Sequence, residues 1–197
     1  TTYNLFSITK TFTALAVLQL VQGGKADLKA PMLEYLPWFP YGGQVTIEQV
    51  LQHVAGIPNP LPLRWTHLEA EHKHFNRDLF FAGEFNKHDR LKFSPGMKFM
   101  YSNLGYVLLG QMIEQVSGQS YEAYVKAVIL DKIGITKRDL DFEIDPAVHA
   151  KGYQYYWSFT NAILGVLIDK KKYMAAREEK WQPFRNFYVN GTPYGGM

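Results

Sequence analysis

The chain has 197 residues, 47% of them hydrophobic and only 20% charged, so it buries a sizeable core and is not a disordered polypeptide. Lys and Arg (21) barely outnumber Asp and Glu (18), and the resulting charge of +3 is spread along the chain, which excludes a nucleic-acid footprint. With no cysteine, disulfide frameworks, thiolate metal sites and cysteine nucleophiles are excluded together.

The first element predicted is a helix of about four turns from Ser7 to Val21, apolar almost all round and closed by Gly23-Gly24. Its apolar run is broken by Thr13 and Gln19 and is far shorter than the ~20 residues that span a bilayer, so it reads as a buried helix. No targeting pattern is visible around it. Thr46 and Gln49 form a capping box for a short helix ending near His53, which is expected to cap the last carbonyls before Gly56-Ile57-Pro58 stops the helix. Pro58, Pro60 and Pro62 then make a stiff connector.

Trp65, Leu68, Phe75 and Leu79 fall at helical spacing and predict an amphipathic helix to about Ala82. Its solvated stripe of His67, Glu71 and His74 is not an H-E-x-x-H pattern and has no evident fourth ligand, so no metal is expected there, while His72 falls on the apolar face as a core histidine. After a turn at Ser94-Pro95-Gly96, Ser102 opens a second apolar helix, Leu104 to Val116, ended by Ser117-Gly118, and Ser120 caps a further helix to about Leu130. Beyond Gly134 the sequence predicts a strand near Gly152 to Tyr156, an apolar stretch from Ala162 to Ile168, a solvated helix in the charged run Asp169 to Lys180, and a hairpin turn at Asn190-Gly191.

Two pairs carry chemistry. Ser7 and Lys10 are three residues apart, on one helix face, so the amine reaches the hydroxyl. A serine hydroxyl attacks a carbonyl only when a base takes its proton, and a lysine serves as that base once desolvation lowers its pKa. Phe6, Phe12 and Leu15 are the expected apolar wall, and the Ser7 N–H at the helix start is an expected oxyanion donor. The second pair is Tyr101 and Asn103, a phenol for proton transfer and an amide for a substrate amide or ester, presented at the mouth of the second buried helix. Tyr188-Val189-Asn190 has the same spacing but runs into Gly191 and reads as structural. Six Ser and fifteen Lys make about 0.5 chance Ser-x-x-Lys matches in such a chain, so the helix context and the second pair carry the argument.

Phe6 to Ala14, Tyr35-Leu36-Pro37, His53-Val54-Ala55-Gly56, Ser94-Pro95-Gly96 and Tyr101 to Tyr106, in that order, resemble the serine β-lactamase-related family of class C β-lactamases, D-alanyl-D-alanine carboxypeptidases and β-lactamase-fold esterases. The resemblance implies an α+β, β-lactamase/transpeptidase-like fold. Residues 1–197 would be one partial domain, with about 30–135 a mainly helical subdomain and 1–29 and 136–197 bordering the α/β part. It implies Ser7 as acylated nucleophile, Lys10 as its proton acceptor, Tyr101 as general acid/base and Asn103 as the substrate-positioning amide. No cofactor is implied, the partner being a small-molecule or peptide substrate, and a cell-envelope setting is the one the resemblance favours. His-Val-Ala-Gly replaces the commoner His-Thr-Ser-Gly, and no Lys-[Ser/Thr]-Gly motif follows, so an internal portion of a longer enzyme with an incomplete sheet is expected. The rival expectation is a non-catalytic binding domain of the same fold.

Overall fold

A computed structural model describes residues 1–197. The helices are α1 (Thr9–Gln22), α2 (Met32–Tyr35), α3 (Ile47–Leu51), α4 (Arg77–Lys87), α5 (Asn103–Ser117), α6 (Tyr121–Val125), α7 (Phe159–Leu167), α8 (Lys170–Tyr173) and α9 (Thr192–Gly195). Short strands β1 (Thr66–Leu68) and β4 (Phe187–Val189) pair antiparallel, as do β2 (Tyr153–Tyr155) and β3 (Trp181–Pro183).

The core is built around α5. Its residues from Asn103 to Gly110, with Met112 and Ile113, are all buried, because Leu104, Leu108 and Leu109 face neighbours on several sides. Ser102 opens this helix by accepting the Gly105 N–H, and Gly118 closes it at φ 70°, a left-handed cap where glycine has no Cβ to clash. Ala16, Val17 and Leu20 of α1, Ile47 and Val50 of α3, Phe81 and Phe85 of α4, and Tyr121 and Val125 of α6 complete one continuous core. Arg77 bridges Glu114 (2.6 Å) and Glu122 (3.2 Å), tying α4 to α5 and α6.

The Thr46/Gln49 capping box and the α5 span agree with the sequence reading, and Ser120 caps a helical run continuing through Leu130. Other expectations are corrected. The helix expected from Trp65 to Ala82 is a strand, a 3₁₀ turn over Glu69–His74, and α4 capped by Asn76. Strand pairing with β4 draws Thr66–Leu68 out of the helical pattern, and Leu79 lies 73% exposed. Asn190-Gly191 is not a hairpin: it joins β4 to α9, and buried Asn190 binds His67 Nδ1 through Oδ1 at 2.8 Å. Tyr188 is structural as read, its hydroxyl accepting the Ile144 N–H. His67 is the buried histidine and His72 is exposed, the reverse of the expected faces. Of the charged run only Lys170–Tyr173 is helical, capped by Asp169. The aromatics Phe39, Tyr41 and Trp65 are core residues, while Trp38 beside them is exposed.

α1 is buried on one face only. Thr9, Lys10, Thr13, Ala16, Val17 and Leu20 point inward, whereas Leu15 and Leu18 are exposed, so the helix is not buried all round as its composition predicts. Its polar inward residues are bonded to the tail. Thr13 Oγ1 donates to the Pro193 carbonyl at 2.5 Å and shares a hydrogen bond with the Tyr121 hydroxyl, and Thr9 Oγ1 accepts the Met197 N–H. No helix is long and apolar enough to cross a membrane.

This docking depends on Gly110, where a Cβ would lie 2.0 Å from Pro193 Cγ. Gly110→Ala is expected to destabilise the fold by about 1–3 kcal/mol through overpacking, read as a lowered denaturation midpoint.

Candidate active site

Ser7 sits in a 3₁₀ turn, Phe6–Ile8, that leads into α1, rather than inside the α-helix itself. Its N–H is among the donors a helix start leaves without an intrahelical partner. Phe6 before it has φ 47°, a left-handed conformation uncommon outside glycine. That conformation is held by the tail: Leu5 N–H donates to the Met197 carbonyl at 2.8 Å, and Gly195 packs against the Phe6 backbone.

The structure brings Ser7, Lys10 and Tyr101 together. Lys10 Nζ donates to Ser7 Oγ at 3.2 Å, and the Tyr101 hydroxyl donates to the same oxygen at 2.8 Å. Ser7 is exposed and Lys10 buried, so the hydroxyl faces solvent while the amine is withdrawn behind it. Burial lowers the Lys10 pKa from 10.5 to about 8. The desolvating wall differs from the expected one, since Phe6 and Leu15 are largely exposed. The rings of Tyr101, Tyr194 and Tyr106 surround the amine instead, at 4.8, 5.3 and 5.6 Å. A third polar contact fixes Nζ in place: it donates to the Tyr194 carbonyl at 2.8 Å.

Tyr101 is aimed by the loop that follows α3. Met100 N–H donates to the His53 carbonyl (2.8 Å), Ser102 N–H to His53 Nδ1 (3.1 Å), Ser102 Oγ to the Pro58 carbonyl (2.9 Å), and Asn103 N–H to Asn59 Oδ1 (3.0 Å). Four bonds therefore pin residues 100–103 onto residues 53–59. Gly56 allows the loop its shape: at φ 77° a Cβ would stand 2.3 Å from the Phe93 carbonyl oxygen. Asn103, at the first position of α5, is buried, and its Oδ1 has no partner within the protein. A cavity of about 560 Å³ opens beside this segment, lined by Asn59, Phe99 and Met100 and by the basic Lys92, Lys98 and His88.

Sequence reasoning missed His53, Asn59 and the Tyr194 carbonyl. His53 does not cap its helix, since its ring nitrogen accepts an N–H from a distant segment. The available signal was a proline on each side of Asn59, which fixes that residue in extended backbone with its side chain free to bond outward. His67, Glu71 and His74 do not share a helix face; His67 is bonded to Asn190 and His72, and Glu71 to Lys172.

A family model described as Beta-lactamase matches residues 1–176. Penicillin-binding protein 4* of Bacillus subtilis (strain 168) is 33% identical over 137 residues, a match covering 68% of this chain and 30% of that protein. Among solved structures, the octameric penicillin-binding protein homologue from Pyrococcus abyssi superposes with a TM-score of 0.67 at 29% identity, over 98% of this chain and 41% of that one. The D-stereospecific amidohydrolase from Streptomyces sp. superposes with a TM-score of 0.57 at 28% identity, over 77% of this chain and 48% of that one. The chain thus spans under a third of the curated relative and under half of each of these solved chains. The two small two-stranded sheets agree with an α+β, β-lactamase/transpeptidase-like fold whose sheet is incomplete. With a family model over most of its length and a fold shared with penicillin-binding protein homologues, the chain belongs to the β-lactamase family.

Proposed function

We propose that this chain carries the nucleophile of a serine hydrolase that cleaves an ester or amide carbonyl through an acyl-Ser7 intermediate. The observation that carries the reading is the convergence of the Lys10 amine and the Tyr101 phenol on one exposed hydroxyl oxygen. The candidate substrates are a short acyl ester, a β-lactam or a D-Ala-D-Ala type peptide, and the names of the relatives, a penicillin-binding protein and a D-stereospecific amidohydrolase, support the β-lactam and D-configured amide kinds.

In the proposed reaction the neutral Lys10 amine takes the Ser7 proton as Oγ bonds to the carbonyl carbon, and the carbonyl π electrons move onto oxygen, where the Ser7 N–H donates to them. Collapse re-forms the carbonyl and breaks its bond to the leaving nitrogen or oxygen. That atom takes a proton from Tyr101, which is resupplied from Lys10. Water then attacks the acyl group by the same path in reverse, releasing the acid and returning the proton to Ser7. Asn103, at the first position of α5 and two residues from Tyr101, is the amide proposed to position an amide substrate.

The test is peptide mass spectrometry of the full-length protein after treatment with a fluorophosphonate or a penicillin. A covalent adduct on the Ser7 peptide that disappears in Ser7→Ala is expected. Equal labelling of the Ser7→Ala protein overturns the reading.

A further inference from the structure

His53 is held in an unfavourable backbone conformation, and the site gains from its side chain. It follows the C-cap of α3 with φ 59°, the position after a helix end that glycine commonly fills. A residue with a Cβ there costs roughly 1–2 kcal/mol relative to glycine. The His53 ring lies 4.5 Å from the Tyr101 ring and 5.0 Å from the Tyr106 ring, centroid to centroid, with Phe99 edge-on at 5.8 Å. Nδ1 accepts the Ser102 N–H at 3.1 Å, which requires that nitrogen to be unprotonated and places the proton of the neutral ring on Nε2. Burial and the nearby Lys10 ammonium push its pKa down to about 4, so the acceptor persists through the neutral range. The groups facing the ring are thus three aromatic residues and, beyond Tyr101, the Lys10 amine.

We propose that His53 is a positioning residue for the proton-transfer step: by accepting the Ser102 N–H and packing against the Tyr101 ring, its side chain keeps the Tyr101 phenol on the Ser7 hydroxyl. The inference rests on the reading of Ser7 as nucleophile and Tyr101 as acid/base. The loop between α3 and the proline connector is then part of the machinery, although His53 makes no hydrogen bond to Ser7. Misplacement of a catalytic group by about 1 Å is enough to cost about 10²-fold in rate, so a residue acting only through Tyr101 has a measurable effect.

Two substitutions separate this role from plain scaffolding. His53→Gly relieves the left-handed backbone while removing ring and acceptor. His53→Asn keeps an acceptor, Oδ1, the same number of bonds from Cα as Nδ1, and tolerates φ > 0. On the full-length protein, the rate constant of Ser7 acylation by a penicillin is measured in wild type, both variants, Tyr101→Phe and the double variant His53→Gly/Tyr101→Phe, with melting curves for each. The expected result is a roughly 10- to 100-fold loss in His53→Gly with a melting temperature at least equal to wild type, and recovery to within about threefold in His53→Asn. The double variant is expected to be no slower than Tyr101→Phe alone, because the two residues act as one unit. Wild-type-like acylation in His53→Gly, or losses that multiply in the double variant, would overturn the positioning role while leaving the acyl-serine reading standing. Failure of the wild-type protein to label at Ser7 overturns both.

Discussion

Lys10→Met is expected to lower the rate of Ser7 acylation by about 10³-fold while leaving the protein folded. The amine is the only basic group within hydrogen-bonding distance of Ser7 Oγ, and a thioether of similar length fills its space among Tyr101, Tyr106 and Tyr194 without accepting a proton. The same substitution has a stability signature that does not depend on activity. The folded chain holds Lys10 at a pKa of about 8 against 10.5 for an ordinary lysine, so between those values the unfolded chain binds more protons. The stability of wild type relative to Lys10→Met therefore climbs as pH rises from 8 towards 10.5 and is flat below 8. Melting temperatures of the two proteins at pH 7 and pH 10 check this sign, and a difference that shrinks for wild type on raising the pH contradicts it.

Tyr101→Phe is the second large effect, about 10²- to 10³-fold in acylation, with KM little changed. The ring remains to pack against His53 and to cover the Lys10 amine, so only the 2.8 Å hydroxyl contact with Ser7 is lost. The loss is expected to be smallest for substrates whose leaving group needs no proton, such as activated phenyl esters, and largest for amides. Equal losses for both classes would show that the phenol acts on the nucleophile alone and not on the leaving group.

What the sequence disclosed follows the range of the forces involved. The α3 capping box, the cap and run of α5 and the Ser120 cap are local rules, each satisfied within a few residues, and all were legible. The pairing of Ser7 with Lys10 was legible for the same reason, as one turn joins them. The Trp65–Ala82 region failed because its apolar spacing is a by-product of two different elements. Trp65 is buried against Phe81 and Tyr194, while its neighbours Thr66–Leu68 pair with Phe187–Val189 from the far end of the chain. No local pattern encodes that register. The same holds for the site's outer contacts: the Tyr194 carbonyl on Lys10 and the His53 ring on Ser102 are long-range hydrogen bonds, one of them made by a backbone atom with no side-chain signature. The misassigned desolvating wall has this origin too, since Phe6 and Leu15 point outward and the rings that bury the amine arrive from Tyr101, Tyr106 and Tyr194.

Ser7 is held to react through the unprotonated form of a desolvated Lys10 amine, whose pKa of about 8 leaves about a tenth of it unprotonated at pH 7. The pH dependence of Ser7 acylation by a neutral ester or penicillin, measured between pH 6 and 10 on the full-length protein, tests it most directly. The expected profile is a single rising limb with an apparent pKa of about 8, an increase of about 50-fold from pH 6 to pH 8, and a plateau above about pH 9. A rate that is flat across this range, or one still rising at pH 10 as an unperturbed lysine requires, would contradict it.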